Sequence, residues 1–194
     1  MLIFSRVWRD PSQGILSLNR DLQNSKLPIN LRKDIEVWKK SFTDWKREIA
    51  GKSEDLRSRQ QKVTYAKKIL AEMKSYRGPA GLEPFLVPLL RVSGVLYEDL
   101  AQAKTKMDQA ETLYYLGKIE RLLSQSSFLL LGDLYLKECI HKAPHSKWAP
   151  ACLTEYKEYL KWRYPGGVAL PASISKEIKG FEKEIASAKK PASK

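Results

Sequence analysis

The chain of 194 residues is about one to one and a half domains long, so one compact unit or a short repeat array is the expectation. Its 43% hydrophobic and 10% aromatic content is enough for a core and excludes a chain disordered throughout, and no apolar run approaches the roughly 20 residues that a membrane-spanning helix requires. The net charge of +13 is uneven: residues 26–68 hold 13 Lys and Arg against 6 Asp and Glu, more than half of the excess. Such a surface favours phosphate, anionic lipid head groups or acidic protein patches, with an attraction that salt weakens.

In chain order, Met1-Leu2-Ile3-Phe4 is too short for the apolar core of a secretory signal, and Arg6, Arg9 and Asp10 follow at once. The expectation is a cytoplasmic protein or one whose signal has been cut away. Ile15, Leu16, Leu18 and Leu22 permit one helix in an N-terminal segment, residues 1–28. From Leu31 the large apolar residues fall at Ile35, Trp38, Phe42, Trp45 and Ile49 in alternating steps of four and three, which predicts a helix with one broad apolar face. Gly51 ends it, and Ser53-Glu54-Asp55 offers a cap before a second helix carrying Leu56, Val63, Ala66, Ile69, Leu70, Met73 and Tyr76.

Gly78-Pro79-Ala80-Gly81 stops that helix, and a third begins near Pro84, apolar nearly all round through Phe85, Leu86, Val87, Leu89 and Leu90. It is expected to centre the core, with Leu89, Val92 and Leu96 buried. A fourth stripe runs through Met107, Ala110, Leu113, Leu116 and Leu123 to a turn at Ser124-Gln125-Ser126-Ser127, and a fifth through Leu129, Leu130, Leu134, Leu136 and Ile140 to Pro144. A sixth runs from about Ser146, a suitable cap, to Tyr164, where Pro165-Gly166-Gly167 terminates it. The last carries Ile174, Ile178, Phe181 and Ile185, and residues 189–194 read as a disordered tail. Nothing alternates with period two for long enough to make a sheet, so the chain reads as all-α, antiparallel hairpins filling residues 29–188.

Short connections between helices raise the question of a repeat. Ala110-Glu111-Thr112-Leu113-Tyr114-Tyr115-Leu116-Gly117 resembles the first helix of a tetratricopeptide unit, in which the glycine lets the paired helix approach closely. Glu120 departs from it, standing where an aromatic is expected. Ala143-Pro144-His145-Ser146-Lys147-Trp148-Ala149-Pro150-Ala151-Cys152-Leu153 resembles the helix junction of exported tetratricopeptide proteins, although a small residue usually stands where Cys152 is. The match covers residues 107–164. With Trp38 and Trp45 in an early helix, the order of segments also resembles exported bacterial repeat proteins. That resemblance implies a short tetratricopeptide-like α-solenoid acting as a scaffold in the cell envelope, without known catalysis. An unrelated helical bundle would show the same stripes.

Cys139, His141, His145 and Cys152 are the only residues of their kinds and lie close together, so zinc is weighed first. Zinc ligands usually come as pairs two to four residues apart on a turn, with a second pair a loop away. Cys139 and His141 instead fall on nearly opposite faces of a helix. A disulfide fits better, because Cys139 and Cys152 stand six before and six or seven after a turn centred near His145 and Ser146, level across a hairpin. Such a bond persists in oxidising compartments and would argue for a periplasmic or exported protein, with cytoplasmic as the alternative. Two buried free thiols are the bland reading. His141 and His145, beside a proline turn, read as solvated or capping residues.

No Gly-rich phosphate loop or Gly-x-Ser-x-Gly is present in the sequence, so neither enzyme, cofactor nor metal is expected. The sequence therefore suggests a scaffold binding a protein or peptide, with acidic partners favoured by Lys33, Lys39, Lys40, Lys46 and Arg47. The alternative is nucleic acid or an anionic membrane surface bound by the same basic region of residues 26–68. Against nucleic acid, Lys outnumbers Arg there and the aromatics lie on the apolar stripe, away from the charges. A solvated Lys-rich face is the plain alternative to both.

Overall fold

The structure is a computed structural model that describes residues 10–49, 56–75, 85–124 and 131–188. Among these residues there are eight helices and no strand: α1 (Pro11–Leu22), α2 (Ile29–Ile49), α3 (Arg59–Ser75), α4 (Leu86–Gln102), α5 (Lys106–Leu123), α6 (Gly132–Lys142), α7 (Trp148–Arg163) and α8 (Ala172–Ala188). The expected all-α class is the observed one. The chain divides into two compact units, Met1–Glu98 and Asp99–Lys194. The signals at Met1 to Phe4, Gly51, Ser53 to Asp55, Gly78 to Gly81, Pro84, Gln125 to Ser127, Leu129 and Leu130, and the tail at 189–194, fall outside the described residues.

In the first unit α1 opens with Asp10, whose carboxylate accepts from the backbone N–H of Ser12 at 2.9 Å and of Gln13 at 3.2 Å, while Pro11 occupies the first turn. A capping box starts α3: Gln61 N–H donates to Ser58 Oγ and Ser58 N–H returns a bond to Gln61 Oε1. The helix therefore begins at Arg59, three residues beyond the apolar Leu56. The core joins Leu18, Ile35, Phe42, Trp45 and Val87, with Trp38 and Ile49 packed against them. Leu31, expected on the buried face, is exposed, because the first turn of α2 lies at the mouth of a groove between α1 and α2.

α4 is buried as expected at Leu89, Val92 and Leu96. It also buries Arg91, a charge that its apolar stripe gave no reason to enclose.

In the second unit Ala110 and Leu113 of α5, Leu136 and Ile140 of α6, Tyr156 and Leu160 of α7, and Phe181 and Ile185 of α8 form one core. Helix direction follows from the cross-contacts. Gly117 faces Leu136 and Gly132 faces Arg121, so α5 and α6 run antiparallel. Tyr114 meets Trp148 at 5.3 Å and Lys118 meets Glu155 at 2.7 Å, which makes α5 and α7 parallel. Lys137 pairs with Glu177 at 2.9 Å and His141 with Glu184 at 3.0 Å, so α6 and α8 are parallel too. Successive helices of this unit thus alternate in direction. Met107 and Leu134 are exposed where the stripes placed them inside. Leu134 precedes Leu136 by two residues, about 200° around the helix from the buried face, and Met107 sits in the first turn of α5.

Candidate functional site

α2 carries the basic residues singled out in the sequence, and helical geometry sorts them into two rows. At 100° per residue, Lys33, Lys40 and Arg47 are seven apart and fall on one outward line, spaced by about 10 Å per step. Lys39 and Lys46 lie on a second line beside the buried face, and Lys39 is half-buried there. Asp44 sits next to the first row and accepts from Lys40 at 2.7 Å and from Arg47 at 3.3 Å. Two of the five cations are therefore partly neutralised by one carboxylate. Lys33, Lys39 and Lys46 make no ion pair among the described residues.

Beside the outward row, a cavity of about 490 Å³ opens between α2 and α4, walled by Lys40, Ser41, Asp44, Trp45, Glu48 and Arg91 among others. Arg91 is 2% exposed. Its guanidinium carbon lies 4.5 Å from the ring centre of Trp45 and 5.4 Å from that of Tyr65, and it donates to Glu48 at 2.9 Å. Cation–π attraction of this sort is worth about 2 kcal/mol once the cation has been taken from water. Burial pulls the Arg91 guanidinium below its ordinary range, and the bond and charge of Glu48 oppose that pull. Burial also pushes the Tyr65 phenol up, helped by the charges of Glu48 and Glu72. The Trp45 indole nitrogen and the Tyr65 hydroxyl are buried without a hydrogen-bond partner among the described residues.

Sequence reasoning did not single out Arg91. Its one signal is a lone charge inside the run Leu89-Leu90-Arg91-Val92, and Trp45, Glu48 and Tyr65 reach it from other helices.

Cys139 and Cys152 are joined as a disulfide, with their α carbons 6.3 Å apart. The bond ties α6 to α7 and both sulfurs are fully buried. The two histidines turn away from it towards α8: His141 meets Glu184, and His145 donates to the carbonyl of Ala188 in the last turn. A second opening, about 510 Å³, is floored by Leu160, Tyr164, Leu170 and Ile178 with Lys157 and Lys161 at its edge, although both lysines already pair with glutamates.

Among the described residues no three His, Cys, Asp or Glu side chains gather as metal ligands, and no helix is long and apolar enough to cross a membrane. What the α2 surface can do chemically is receive negative charge: a row of cations outside, and a buried guanidinium behind it. Neither a known protein family, nor a curated protein, nor a solved structure matches this chain.

Proposed function

We propose that this protein is a non-catalytic interaction scaffold that takes an acidic protein or peptide partner on the α2 surface of its first unit. The observation that carries this reading is the outward row of Lys33, Lys40 and Arg47, which repeats every seven residues over about 20 Å. A partner presenting carboxylates on a helix or an extended segment would match it, and a row of lysines would draw that partner in at a rate that falls with salt. The aromatic side chains of α2 lie under this row, so the base-stacking platforms of a nucleic-acid surface are missing from it.

The second unit reads as a tetratricopeptide-like hairpin array. Supporting it are the alternating helix directions and the close approach of Leu136 to Gly117, the glycine on which the repeat resemblance rests. The compartment is the bacterial cell envelope, after export. Its support is the Cys139–Cys152 bond, because disulfides of this kind are kept in oxidising compartments and reduced in the cytosol.

Binding of the whole chain to labelled oligoglutamate, to duplex DNA and to phosphatidylglycerol vesicles, each at low and high salt, tests the partner class. Oligoglutamate is expected to bind best, and to lose affinity with salt and in a variant carrying Lys33→Glu, Lys40→Glu and Arg47→Glu. Tighter binding of DNA or vesicles, or no binding of oligoglutamate, overturns the reading.

A further inference from the structure

We propose that the groove between α1 and α2 is a docking site for an amphipathic helix of a second protein, one that carries Lys or Arg beside its apolar stripe. The site is separate from the outward basic row and does not rest on it.

The groove measures about 790 Å³, and its floor is Leu18, Leu27, Leu31, Ile35 and Trp38. Leu31 stands four residues before Ile35 and seven before Trp38, so it continues the line along which α2 is buried. Ile35 is 9% exposed and Leu31 is 47% exposed. From the half-buried Trp38 back to Leu31 the stripe is therefore open on one flank for about 10 Å, two helical turns. A helix with apolar side chains in the same steps of three and four would cover it.

The walls are fixed at both ends. Gly14 packs directly against Phe42 at one end of the α1–α2 hairpin, and at the other Arg32 donates to the carbonyls of Leu22 at 3.0 Å and Asn24 at 3.1 Å. Leu27 N–H closes the turn onto the Asn24 carbonyl at 3.2 Å. A ligand entering such a groove has little ordering to do.

Charge selects the occupant. Asp21 on α1 and Asp34 on α2 both line the groove, and neither carboxylate has a hydrogen bond or ion pair among the described residues. Arg20 is the cation of the same lining, while Arg32 lies two residues from Asp34, about 200° around α2, with its guanidinium taken up by the turn. The groove thus sets two carboxylates against one guanidinium, on a chain whose net charge is +13. A lysine or arginine on either flank of a docked stripe would meet Asp21 or Asp34, whereas an acidic helix would meet repulsion there. A second copy of this chain fits less well, because two molecules of like net charge repel.

Trp38 and Lys40 are two residues apart, so the groove and the outward row lie on different flanks of α2 and can be filled together. The first unit would then bridge a basic helix and an acidic partner.

The experiment uses the whole chain and two labelled helical peptides about four turns long, with the same leucine stripe and either lysine or glutamate beside it. The indole N–H resonance missing from the Trp38→Phe spectrum reports the groove. The lysine peptide is expected to bind and to shift this resonance. Its affinity should fall several-fold in the double variant Asp21→Asn, Asp34→Asn and about tenfold in Leu31→Asn, with both melts little changed because all three residues are exposed. The glutamate peptide should leave the resonance in place, even where it binds at the basic row. The proposal is overturned if the lysine peptide does not move the resonance, if both variants bind that peptide as tightly as the parent, or if the glutamate peptide moves it further. A resonance that moves on concentrating the protein alone would give the groove to a second copy, which overturns it as well.

Discussion

Gly117 of α5 and Leu136 of α6 approach so closely that a Cβ built on the glycine would stand 2.6 Å from the leucine side chain. One helix further along, a Cβ on Gly132 would lie 2.8 Å from the backbone nitrogen of Arg121. Each helix thus supplies the glycine against which the other packs. Exchanging glycine for alanine inside a helix normally gains about 1 kcal/mol of propensity. Here Gly117→Ala and Gly132→Ala are both expected to destabilise, by about 1 to 3 kcal/mol of overpacking. Gly132→Ala should cost more, because backbone cannot turn aside as a leucine side chain can. Urea unfolding of the two variants checks the sign and the order, and a gain in stability for either would mean that the helices stand further apart.

The Cys139–Cys152 bond closes a loop with a sequence separation of 13, so its removal should lower stability by about 3 kcal/mol on loop-entropy grounds. Denaturant unfolding with and without a thiol reductant measures this. Mass analysis of the oxidised protein after alkylation should find no added alkyl groups until reductant is present. Addition of two groups without reduction would remove the bond, and with it the argument for an oxidising compartment.

Leu96 is fully buried on α4. Leu96→Ala is expected to cost about 2 to 5 kcal/mol, the range for a leucine removed from a packed core. A cost below about 0.5 kcal/mol would show that α4 does not organise the core. The exposed Leu134→Ala serves as a control and should move the unfolding midpoint little.

The helices were legible because period and punctuation agree: stripes in steps of three and four, ended by Gly, Pro and Ser. Cys139 and Cys152 were legible as a pair because their distance from a turn is a local quantity. Burial along the stripes was less so. Leu31, Met107 and Leu134 satisfy the pattern and still face solvent, since a stripe tells which residues could be covered and not how far the covering helix reaches. Arg91 shows the opposite limit. Its environment comes from Trp45 and Glu48 on α2 and Tyr65 on α3, residues 26 to 46 positions away in the chain, so no local pattern could have revealed it. The charges of α2 were legible as a group, but their division into an outward row and a flanking row needed the register of the buried face.

The contact between Tyr156 and Glu177 sets an expectation for pH. Burial by itself would raise the Glu177 carboxyl, but the Tyr156 hydroxyl at 2.6 Å and Lys137 at 2.9 Å outweigh it and hold the group below its ordinary range. A carboxylate depressed on folding contributes stability that is present above its unfolded value and is lost as pH falls through its folded value. The second unit should therefore weaken on acidification below about pH 4, the ordinary carboxylate range. The tyrosines act at the other end. Burial, then the charge of Glu111 and the neighbouring Tyr114, push the Tyr115 phenol up to about 12, and burial followed by Glu177 raises Tyr156. A group raised on folding gives stability that is fully present below its unfolded value, near 10, and lost as pH climbs towards its folded one. Stability should form a plateau between these arms. In Tyr156→Phe the acid arm should move to higher pH, since Glu177 loses one of the two bonds that keep it ionised, and the cost at neutral pH should be about 1 kcal/mol. Urea unfolding across pH, for the parent and Tyr156→Phe, reads both arms, and an acid arm that stays in place in the variant would show that Lys137 alone holds the carboxylate.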